Sequence, residues 1–280
     1  MKLNFKILLS ICLGISGNSY SQLYSFDTHT FTNAGSTGKD GPTLAECQTE
    51  YTSEVWELDP TLFAVSTQGI QEWTVPQTGD YQIETYGAQG GDDLYTGGSE
   101  AGGLGAKMIG TFSFTEGDVL YILVGQEGED TRVTGADNAA AGGGGGTFVW
   151  DPTDTSIPLM AAGGGAGGSG QGYTGRDATM AVNGNNSFSN ANGGTAGNGG
   201  GINNTGGSYW GGGGAGWLTN GTAGNTAPAY TYDGGATYGS AQGGRTPLNG
   251  GIGGVRYSDG TDEGGDGGFG GGGGGGSDNM

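Results

Sequence analysis

The chain has 280 residues, of which 70 are glycine, or one residue in four against a usual share of about 7%. Collagen is excluded, because the glycines keep no period of three and the chain has only 7 prolines. A flexible Gly/Ser linker is a poor fit, since 32% of the residues are apolar and 10% are aromatic. With 8 basic and 28 acidic residues, the chain has a net charge of −20, which argues against nucleic acid and anionic membranes as partners. The excess of acidic residues indicates either a role in solubility or a cationic partner.

The N-terminus has the pattern of an export signal. Two lysines in the first six residues precede a short apolar run at Ile7–Ile15, and Ser19 and Ser21 stand at −3 and −1 of a cut before Gln22. Nine apolar residues are too few to span a bilayer, which needs about 20. The sequence therefore predicts a signal peptide at residues 1–21 and an extracellular protein, secreted or held at the cell surface, with no second run of spanning length.

The next segment, residues 22–68, has ordinary composition and a polar stretch at Leu44–Glu57 that favours one short helix. Apolar and polar residues then alternate in Ile70–Val75 and again in Asp80–Tyr86, which predicts two strands. Turn residues at Pro76–Gly79 lie between them. We therefore predict a half-buried hairpin.

From Gly87 onward, strand-like runs alternate with glycine tracts. Leu104–Phe114 and Val119–Val124 flank a turn sequence, and Thr147–Trp150 and Ile157–Ala162 flank an Asp-Pro loop, so two further hairpins are expected. Several short strands with no long amphipathic helix indicate an all-β sandwich. The aromatic residues that we assign to its core are Trp73, Tyr81, Tyr121, Phe148 and Trp150.

The glycine tracts admit two interpretations. As extended threefold helices of the polyproline II type they would lack internal hydrogen bonds, approach one another closely and bond laterally in a bundle. As loops they would be flexible, because ordering glycine costs more entropy than ordering any other residue. A bundle predicts that valine at a central glycine is disruptive; the glycines that we assign to it are Gly144, Gly164, Gly212 and Gly273.

Removal of the leader leaves a single cysteine, Cys47, so no intramolecular disulfide can form. An odd cysteine in an exported protein indicates an intermolecular bridge or a buried unpaired thiol, and the sequence does not separate the two.

No catalytic, cofactor-binding or metal-binding residues are predicted. The only histidine, His29, lies in a polar N-terminal segment, so a His-cluster metal site and a hydrolytic triad are not expected, and the chain has no kinase motifs. Acidic clusters, including one at residues 259–266, could hold calcium, but they match neither the EF-hand nor the GGxGxD repeat spacing, and a solvated acidic surface is the favoured interpretation.

Candidate partner-binding residues are of two kinds. A cluster of carboxylates suits a basic partner, and aromatic residues in the glycine-rich part suit a protein or a sugar, although they could equally cap the edge of a glycine bundle. The carboxylates are Glu127, Glu129 and Asp130, and the aromatic residues are Tyr209, Trp210 and Trp217.

Six mixed motifs occur in a fixed order: "GPTLAEC", "GIQEWTVPQTGDYQIETYGAQGG", "VLYILVGQEGED", "AGGGGGTFVW", "IPLMAAGGGAG" and "GGFGGGGGGG". Over roughly residues 26–276 they resemble the glycine-rich extracellular domain of the anaplastic lymphoma kinase and leukocyte tyrosine kinase receptors, which bacterial secreted proteins share. The resemblance places this domain at residues 69–280, with residues 22–68 as its N-terminal segment.

The resemblance implies a TNF-like, jelly-roll-type sandwich whose glycine-rich insertions form a bundle of polyglycine helices. It also implies a small basic protein ligand that brings two receptors together. Ala34 stands where the family has a cysteine that pairs with the counterpart of Cys47, and Gly276 stands where the family has another cysteine. The closing strand that the family pattern leads us to expect is not reached by Met280, which predicts a truncated domain.

Two functions compete at this point. The first is a non-catalytic extracellular recognition or adhesion module for a protein or surface glycan. The alternative is the ligand-binding ectodomain of a receptor tyrosine kinase whose membrane helix and kinase domain lie beyond residue 280; a purely structural surface-layer component is a third and weaker hypothesis. No cofactor is expected for any of them, and homodimers are expected only on ligand binding.

Overall fold

The structure, a computed structural model, describes residues 6–9 (backbone only), 23–94, 99–132, 139–169, 173–187, 191–202, 211–223, 241–257 and 264–276. Within these residues the chain forms nine strands, one α-helix and one 3-10 turn. In chain order they are β1 (Lys6–Leu9), β2 (Thr28–His29), α1 (Leu44–Glu50), β3 (Phe63–Thr67), β4 (Ile70–Thr74), β5 (Gly79–Tyr86), β6 (Lys107–Phe114), β7 (Val119–Leu123), β8 (Thr147–Trp150), β9 (Met160–Ala162) and the 3-10 turn Pro247–Asn249.

The strands form two antiparallel sheets, which confirms the all-β prediction. The first sheet has the order β2-β1-β5-β6, and the second has the order β3-β4-β7-β8-β9. β5 and β6 pair over their full length, from Gly79 opposite Phe114 to Tyr86 opposite Lys107. No helix in the described part of the chain is long and apolar enough to cross a membrane.

A core rich in aromatic residues lies between the sheets. Alternate residues of β5 enter it, so Tyr81 and Ile83 are fully buried while their neighbours reach the outer face. A second, smaller cluster lies on the other side of the second sheet and is formed by Ile70, Leu123, Phe148, Trp150, Trp217 and Phe269. Of the five aromatic residues assigned to the core, Trp73 and Tyr81 lie in the first cluster, Phe148 and Trp150 lie in the second, and half-buried Tyr121 packs against the second.

The hairpin predicted at residues 70–86 is wrong, although both of its strands exist. β4 pairs with β3 and β7, whereas β5 pairs with β1 and β6 in the opposite sheet. Both strands alternate because both send apolar side chains into the same core from opposite sides; the rings of Trp73 and Tyr81 meet there with centroids 6.1 Å apart. The turn after β4 is therefore a corner between sheets.

The turn between β6 and β7 is a second corner, and the hairpin predicted there is wrong for the same reason. The two corners are bonded to each other, since the N–H of Val75 donates to Asp118 O at 2.8 Å and the N–H of Gly117 donates to Val75 O at 2.9 Å. The third predicted hairpin is confirmed: β8 and β9 are adjacent and antiparallel around the Asp-Pro loop.

The helix begins where the sequence predicts but ends earlier, at Glu50 instead of Glu57. Thr43 caps it: its hydroxyl accepts a hydrogen bond from the N–H of Glu46, and the Glu46 carboxylate accepts from the N–H of Thr43 at 2.7 Å. The helix stops at Tyr51, whose hydroxyl donates to the Gln71 side chain at 2.7 Å and accepts from the N–H of Thr32. These bonds tie α1 and the segment at Thr32 to β4 and to the core of the sandwich.

Strand β1 comes from the segment that the sequence predicts to be a cleaved leader. It lies between β2 and β5 and is antiparallel to both, with Ile7 opposite His29 on one side and opposite Ile83 on the other. In this arrangement β1 is the strand to which β2 is hydrogen-bonded in the first sheet.

The glycine tracts bond laterally to one another. Along residues 141–146, successive N–H groups donate to three neighbouring segments in turn and then repeat the order, at 2.8–3.0 Å. The acceptors are the carbonyl oxygens of Gly168, Glu129 and Gly273, and then those of Gly165, Gln126 and Gly270. The tract is therefore surrounded by three segments and has a threefold repeat of bonding directions.

Glycine is needed in these tracts because of close packing. A Cβ on Gly144 would lie 2.4 Å from the carbonyl oxygens of Ala88 and Gln89. At Gly164, Gly212 and Gly273 the nearest carbonyl oxygen would lie at 2.1, 1.9 and 2.1 Å. None of these four has a φ in the left-handed region, so the requirement comes from the approach of neighbouring backbone and not from backbone strain.

Cys47 lies on α1 and is a free, fully buried cysteine. Burial, helped by neighbouring carboxylates, raises the pKa of its thiol to about 12, so the reactive thiolate is not formed at neutral pH. Ala34 packs against the same cluster of side chains.

Candidate partner-binding surfaces

Carboxylates gather where the loop after β5 meets the loop after β7; we call Asp92, Asp93, Glu127, Glu129 and Asp130 the acidic edge. The two loops are bonded to each other through these residues. The N–H of Asp92 donates to the Asp130 carboxylate at 2.8 Å, and the Thr131 hydroxyl donates to the buried carboxylate of Asp93 at 3.1 Å.

Glu129 and Asp130, both predicted to bind a partner, hold backbone in place. The Glu129 carboxylate accepts from Arg132 at 2.8 Å and from the N–H of Asp266 at 3.3 Å, so it links its loop to the C-terminal glycine tract. Asp130 links to Asp92 as described above. Replacing either residue would disturb the fold as well as any contact with a partner.

Glu127 is different, because its side chain is exposed and, within the described residues, its carboxylate has no hydrogen-bond or ion-pair partner. Packed backbone around it desolvates the carboxyl in part, and Asp130 and Asp92 add repulsion, so the pKa of Glu127 is raised above its usual value. A cation that approached this edge would relieve that repulsion. In the described part of the chain, no group of three or more His, Cys, Asp or Glu side chains is arranged to hold a metal ion.

The aromatic candidates do not form an exposed platform in the described structure. Trp217, a candidate for partner binding, is buried: it is 5% exposed, its ring lies against Phe148 and Trp150, and its indole N–H donates to Thr155 O at 3.0 Å. Trp217 is buried because it packs on the apolar outer face of the second sheet. Tyr209 and Trp210 lie outside the described residues.

A wide apolar groove lies between the end of the second sheet and the glycine-rich segments. Its volume is about 1010 Å³, and much of its lining is glycine. Ile157, Met180, Val182 and Leu218 line it with side chains that are 56–82% exposed. Several large apolar side chains exposed along one groove are typical of a site of contact with a partner.

Backbone hydrogen bonds hold the wall of this groove. The N–H of Gly175 donates to Ala101 O at 2.7 Å, and the N–H of Ala178 donates to Leu104 O at 2.8 Å. The wall that carries Met180 and Val182 is thus attached to the glycine tracts. Sequence reasoning missed this surface; the signal available was the apolar run "MAV" at residues 180–182, which interrupts a polar and glycine-rich stretch.

Comparison with known proteins gives a partial relationship. Over 101 residues the chain is 38% identical to the leukocyte tyrosine kinase receptor of the mouse, Mus musculus. The match covers 36% of this chain and 11% of the receptor, so the chain corresponds to about a tenth of that protein's length. No protein-family model matches the chain. Part of the chain is therefore similar to a member of the leukocyte tyrosine kinase and anaplastic lymphoma kinase receptor family.

Proposed function

We propose that this chain is a non-catalytic extracellular recognition module that binds a protein partner in the apolar groove. The observation that carries the proposal is the groove itself: it is lined by four aliphatic or thioether side chains, each more than half exposed, and backbone hydrogen bonds hold the segment before Met180 and the segment at Leu218. Ordering such a surface before binding lowers the entropic cost of association.

The groove suits a protein better than a glycan. Sugars bind to exposed aromatic faces, and among the described aromatic residues that line the groove only Tyr173 is exposed, whereas Phe148 and Trp217 are buried against each other. Ile157, Met180 and Val182 offer instead the kind of surface that the apolar side chains of a protein cover.

A photo-cross-linking amino acid tests this function. Placed at Val182 (82% exposed, in the groove), it should yield one discrete protein adduct on the surface of the producing cells or in their medium. The matched control is Val55, which is 75% exposed and lies outside the groove. No adduct at Val182, or the same adducts at both positions, would contradict the proposal.

The acidic edge predicts the charge of the partner. We expect a basic partner, because the chain is strongly acidic and the exposed Glu127 carboxylate lies beside the carboxylates of Asp130 and Asp92, whose repulsion helps to raise its pKa. Glu127→Lys should weaken binding of the cross-linked partner about tenfold and reduce its salt dependence. Glu116→Lys, at the corner before β7, makes the same change of charge elsewhere and should leave binding unchanged. If the two variants bind alike, the acidic edge has no part in recognition.

The second candidate function is the ligand-binding ectodomain of a receptor tyrosine kinase. The partial similarity to the mouse receptor favours it. Sequencing the transcript downstream of the codon for Met280 tests it: a membrane-spanning segment followed by kinase motifs is expected, and a stop codon or a cell-wall sorting signal would exclude it.

The proposal includes an architecture: a TNF-like sandwich of the jelly-roll type carrying a bundle of polyglycine helices over residues 69–280. The threefold repeat of bonding directions along residues 141–146 supports it, because a polyproline II helix has three residues per turn. Hydrogen exchange is the test. Protection of the tract amides comparable with that of β7 is expected, and exchange at random-coil rates would contradict the bundle.

The proposal also includes export of the protein from the cell. Residues 1–21 are removed as a signal peptide, and the mature chain begins at Gln22. Intact mass of the secreted protein should match cleavage before Gln22, and a mass that includes the leader would contradict it.

A further inference from the structure

We propose that the apolar groove binds a segment of the partner that has the extended threefold conformation of a polyproline II helix. The segment has glycine at every third position and proline or another apolar residue between. Its carbonyl oxygens accept hydrogen bonds from three glycine tracts that line the groove. This inference rests on the proposed function, in which the groove binds a protein, and the experiment below separates the two.

Each of the three tracts has one row of N–H groups without an acceptor in the described part of the chain. In the C-terminal tract, Gly272 and Gly275 donate to one neighbouring segment, and Gly274 donates to another. The N–H groups of Gly273 and Gly276, three residues apart, have no acceptor among the described residues. The other two tracts repeat this spacing of three. The six residues, which we call the unpaired rows, are Gly164, Gly167, Gly211, Gly214, Gly273 and Gly276.

All of the unpaired rows line the one groove. In a threefold helix every third N–H has the same direction, so each row marks one side of its tract. Neighbouring tracts are open on that side: a Cβ on Gly143 would lie 3.4 Å from the nitrogen of Gly273, and one on Gly211 would lie 3.4 Å from that of Gly276. The three rows therefore border the same space.

Some of these polar groups are buried, which points to an occupant that pairs with them. Gly273 and Gly276 are buried, and a buried N–H without an acceptor is rare in folded proteins. Ser169 also lines the groove and is only 8% exposed, and its hydroxyl has no hydrogen-bond partner in the described part of the chain. An occupant that offered only apolar atoms would leave these groups without partners, at a cost in free energy.

The rows select the backbone conformation of the occupant by charge complementarity. N–H groups carry partial positive charge, which carbonyl oxygens complement. In a polyproline II helix the carbonyl oxygens point sideways, are not used in internal hydrogen bonds and repeat every three residues, or about 9 Å. The unpaired rows have the same repeat of three residues. A β-strand repeats every two residues and would not match them.

The groove also selects the side chains of the occupant. Glycine tracts present bare backbone to it, so a segment that approaches them closely needs glycine on the facing side, once in three residues. Its remaining positions meet Ile157, Met180 and Val182 and are therefore apolar. Proline suits these positions best, because its fixed φ holds the extended conformation before binding and so lowers the entropic cost.

Hydrogen exchange measured by NMR on the protein labelled with ¹⁵N-glycine tests the inference. Its probe is the synthetic peptide PPGPPGPPG. Before addition, the six amides of the unpaired rows should exchange rapidly, while those of Gly165, Gly212 and Gly274 in the same tracts should exchange slowly. At millimolar peptide, the six fast amides should slow by about tenfold or more.

A matched peptide and two protein variants make the test specific. The peptide PPPPPPGGG has the same composition without the period of three and should protect none of the six amides. Gly143→Ala places a methyl group in the groove and should weaken binding of PPGPPGPPG about fivefold, as measured by calorimetry. Gly79 lies outside the groove with nothing within 4 Å of an added Cβ, so Gly79→Ala should bind the peptide like the unaltered protein.

The outcomes separate this inference from the proposed function. Protection of the six amides before addition, or no response to PPGPPGPPG, overturns the inference, even if the cross-linker at Val182 captures a protein. Equal protection by both peptides overturns the match of threefold repeats. Protection by PPGPPGPPG alone supports the inference; if no adduct then forms at Val182, the groove has this specificity and only the assignment of its natural partner is wrong.

Discussion

Single glycines in the tracts differ sharply in what they tolerate, and the middle tract provides a matched pair. A Cβ on Gly144 would lie 2.4 Å from two backbone carbonyl oxygens, neither of which can move without shifting its own segment. A Cβ on the adjacent Gly143 would meet nothing closer than 3.4 Å. The identity of the neighbouring atoms, not the glycine count, therefore decides which positions are essential.

We predict that Gly144→Ala lowers the free energy of unfolding by about 3 kcal/mol, the upper range for overpacking, and lowers the melting temperature by several degrees. Gly143→Ala should change stability by less than about 0.5 kcal/mol. Thermal unfolding followed by circular dichroism measures both. Equal effects of the two variants would mean that the tract is not closely packed at Gly144.

A second residue-scale prediction concerns His29, the only histidine in the chain. Its Nε2 lies 3.1 Å from the Tyr24 hydroxyl, its Nδ1 accepts from Trp56, and the Glu54 carboxylate lies 3.7 Å from Nδ1. Burial lowers the pKa of His29 to about 4, despite that carboxylate, so the folded state holds the ring neutral.

Because the folded pKa lies below the unfolded value of about 6.5, the stabilisation is complete above pH 6.5 and is lost as pH falls toward 4. The full loss is about 3 kcal/mol, of which about 2 kcal/mol falls between pH 6.5 and pH 5, where few carboxylates titrate. Urea unfolding across this range measures the slope. His29→Gln should remove it, and an unchanged slope in that variant would assign the pH dependence to other groups.

At the scale of elements, the N-terminal cap of α1 contributes a large part of the stability of this helix. The helix has only seven residues, so its first turn is a large part of it. Thr43→Ala removes the hydroxyl that accepts from the N–H of Glu46 and should lower the free energy of unfolding by about 1 kcal/mol. Thr49→Ala on the same helix removes only a hydroxyl that bonds Ala45 O and should have little effect. Chemical unfolding of both variants checks this, and equal losses would show that the cap is not responsible.

The sequence located the strands better than it located their partners. Alternation at residues 70–75 and 80–86 reports which side chains are buried, and Trp73 and Tyr81 are indeed buried. Alternation does not show on which side of the core each strand lies, so a corner between two sheets gives the same sequence pattern as a hairpin within one sheet. The hairpin predicted at the Asp-Pro loop, residues 151–152, is confirmed because β8 and β9 belong to the same sheet.

The candidate site was less predictable, for a related reason. A glycine tract has no side chains to mark its faces, so the three neighbours of residues 141–146 can be known only from the fold. Glu127 and Glu129 are alike in sequence, yet only Glu129 is bonded to Arg132 and to the C-terminal tract. The burial of Trp217 could not be predicted from the sequence, because the apolar outer face of the second sheet, which it covers, arises only when the strands have assembled.

At the scale of the whole molecule, the side chain of Phe269 joins the C-terminal glycine tract to the sandwich. Phe269 is the only large side chain in the tract "GGFGGGGGGG", and it is fully buried in the second cluster beside Leu123 and Trp217. Backbone closes around its ring: a Cβ on Gly69 would lie 2.1 Å from Phe269, and one on Gly41 would lie 2.6 Å from it. Its carbonyl oxygen accepts from the N–H of Gln126 at 2.8 Å, next to the acidic edge.

Because this residue contacts both parts, we predict that sandwich and tracts unfold together in the native protein and separate when the ring is removed. Phe269→Ala should lower the free energy of unfolding by about 3–5 kcal/mol and increase the exchange of the tract amides more than that of β5. Denaturation monitored by tryptophan fluorescence, with hydrogen exchange on the same samples, measures both effects. Ile109→Ala, which shortens a half-exposed side chain on β6, is the control and should alter neither. Retention of slow tract exchange in Phe269→Ala would show that the tracts hold themselves together by their lateral hydrogen bonds alone.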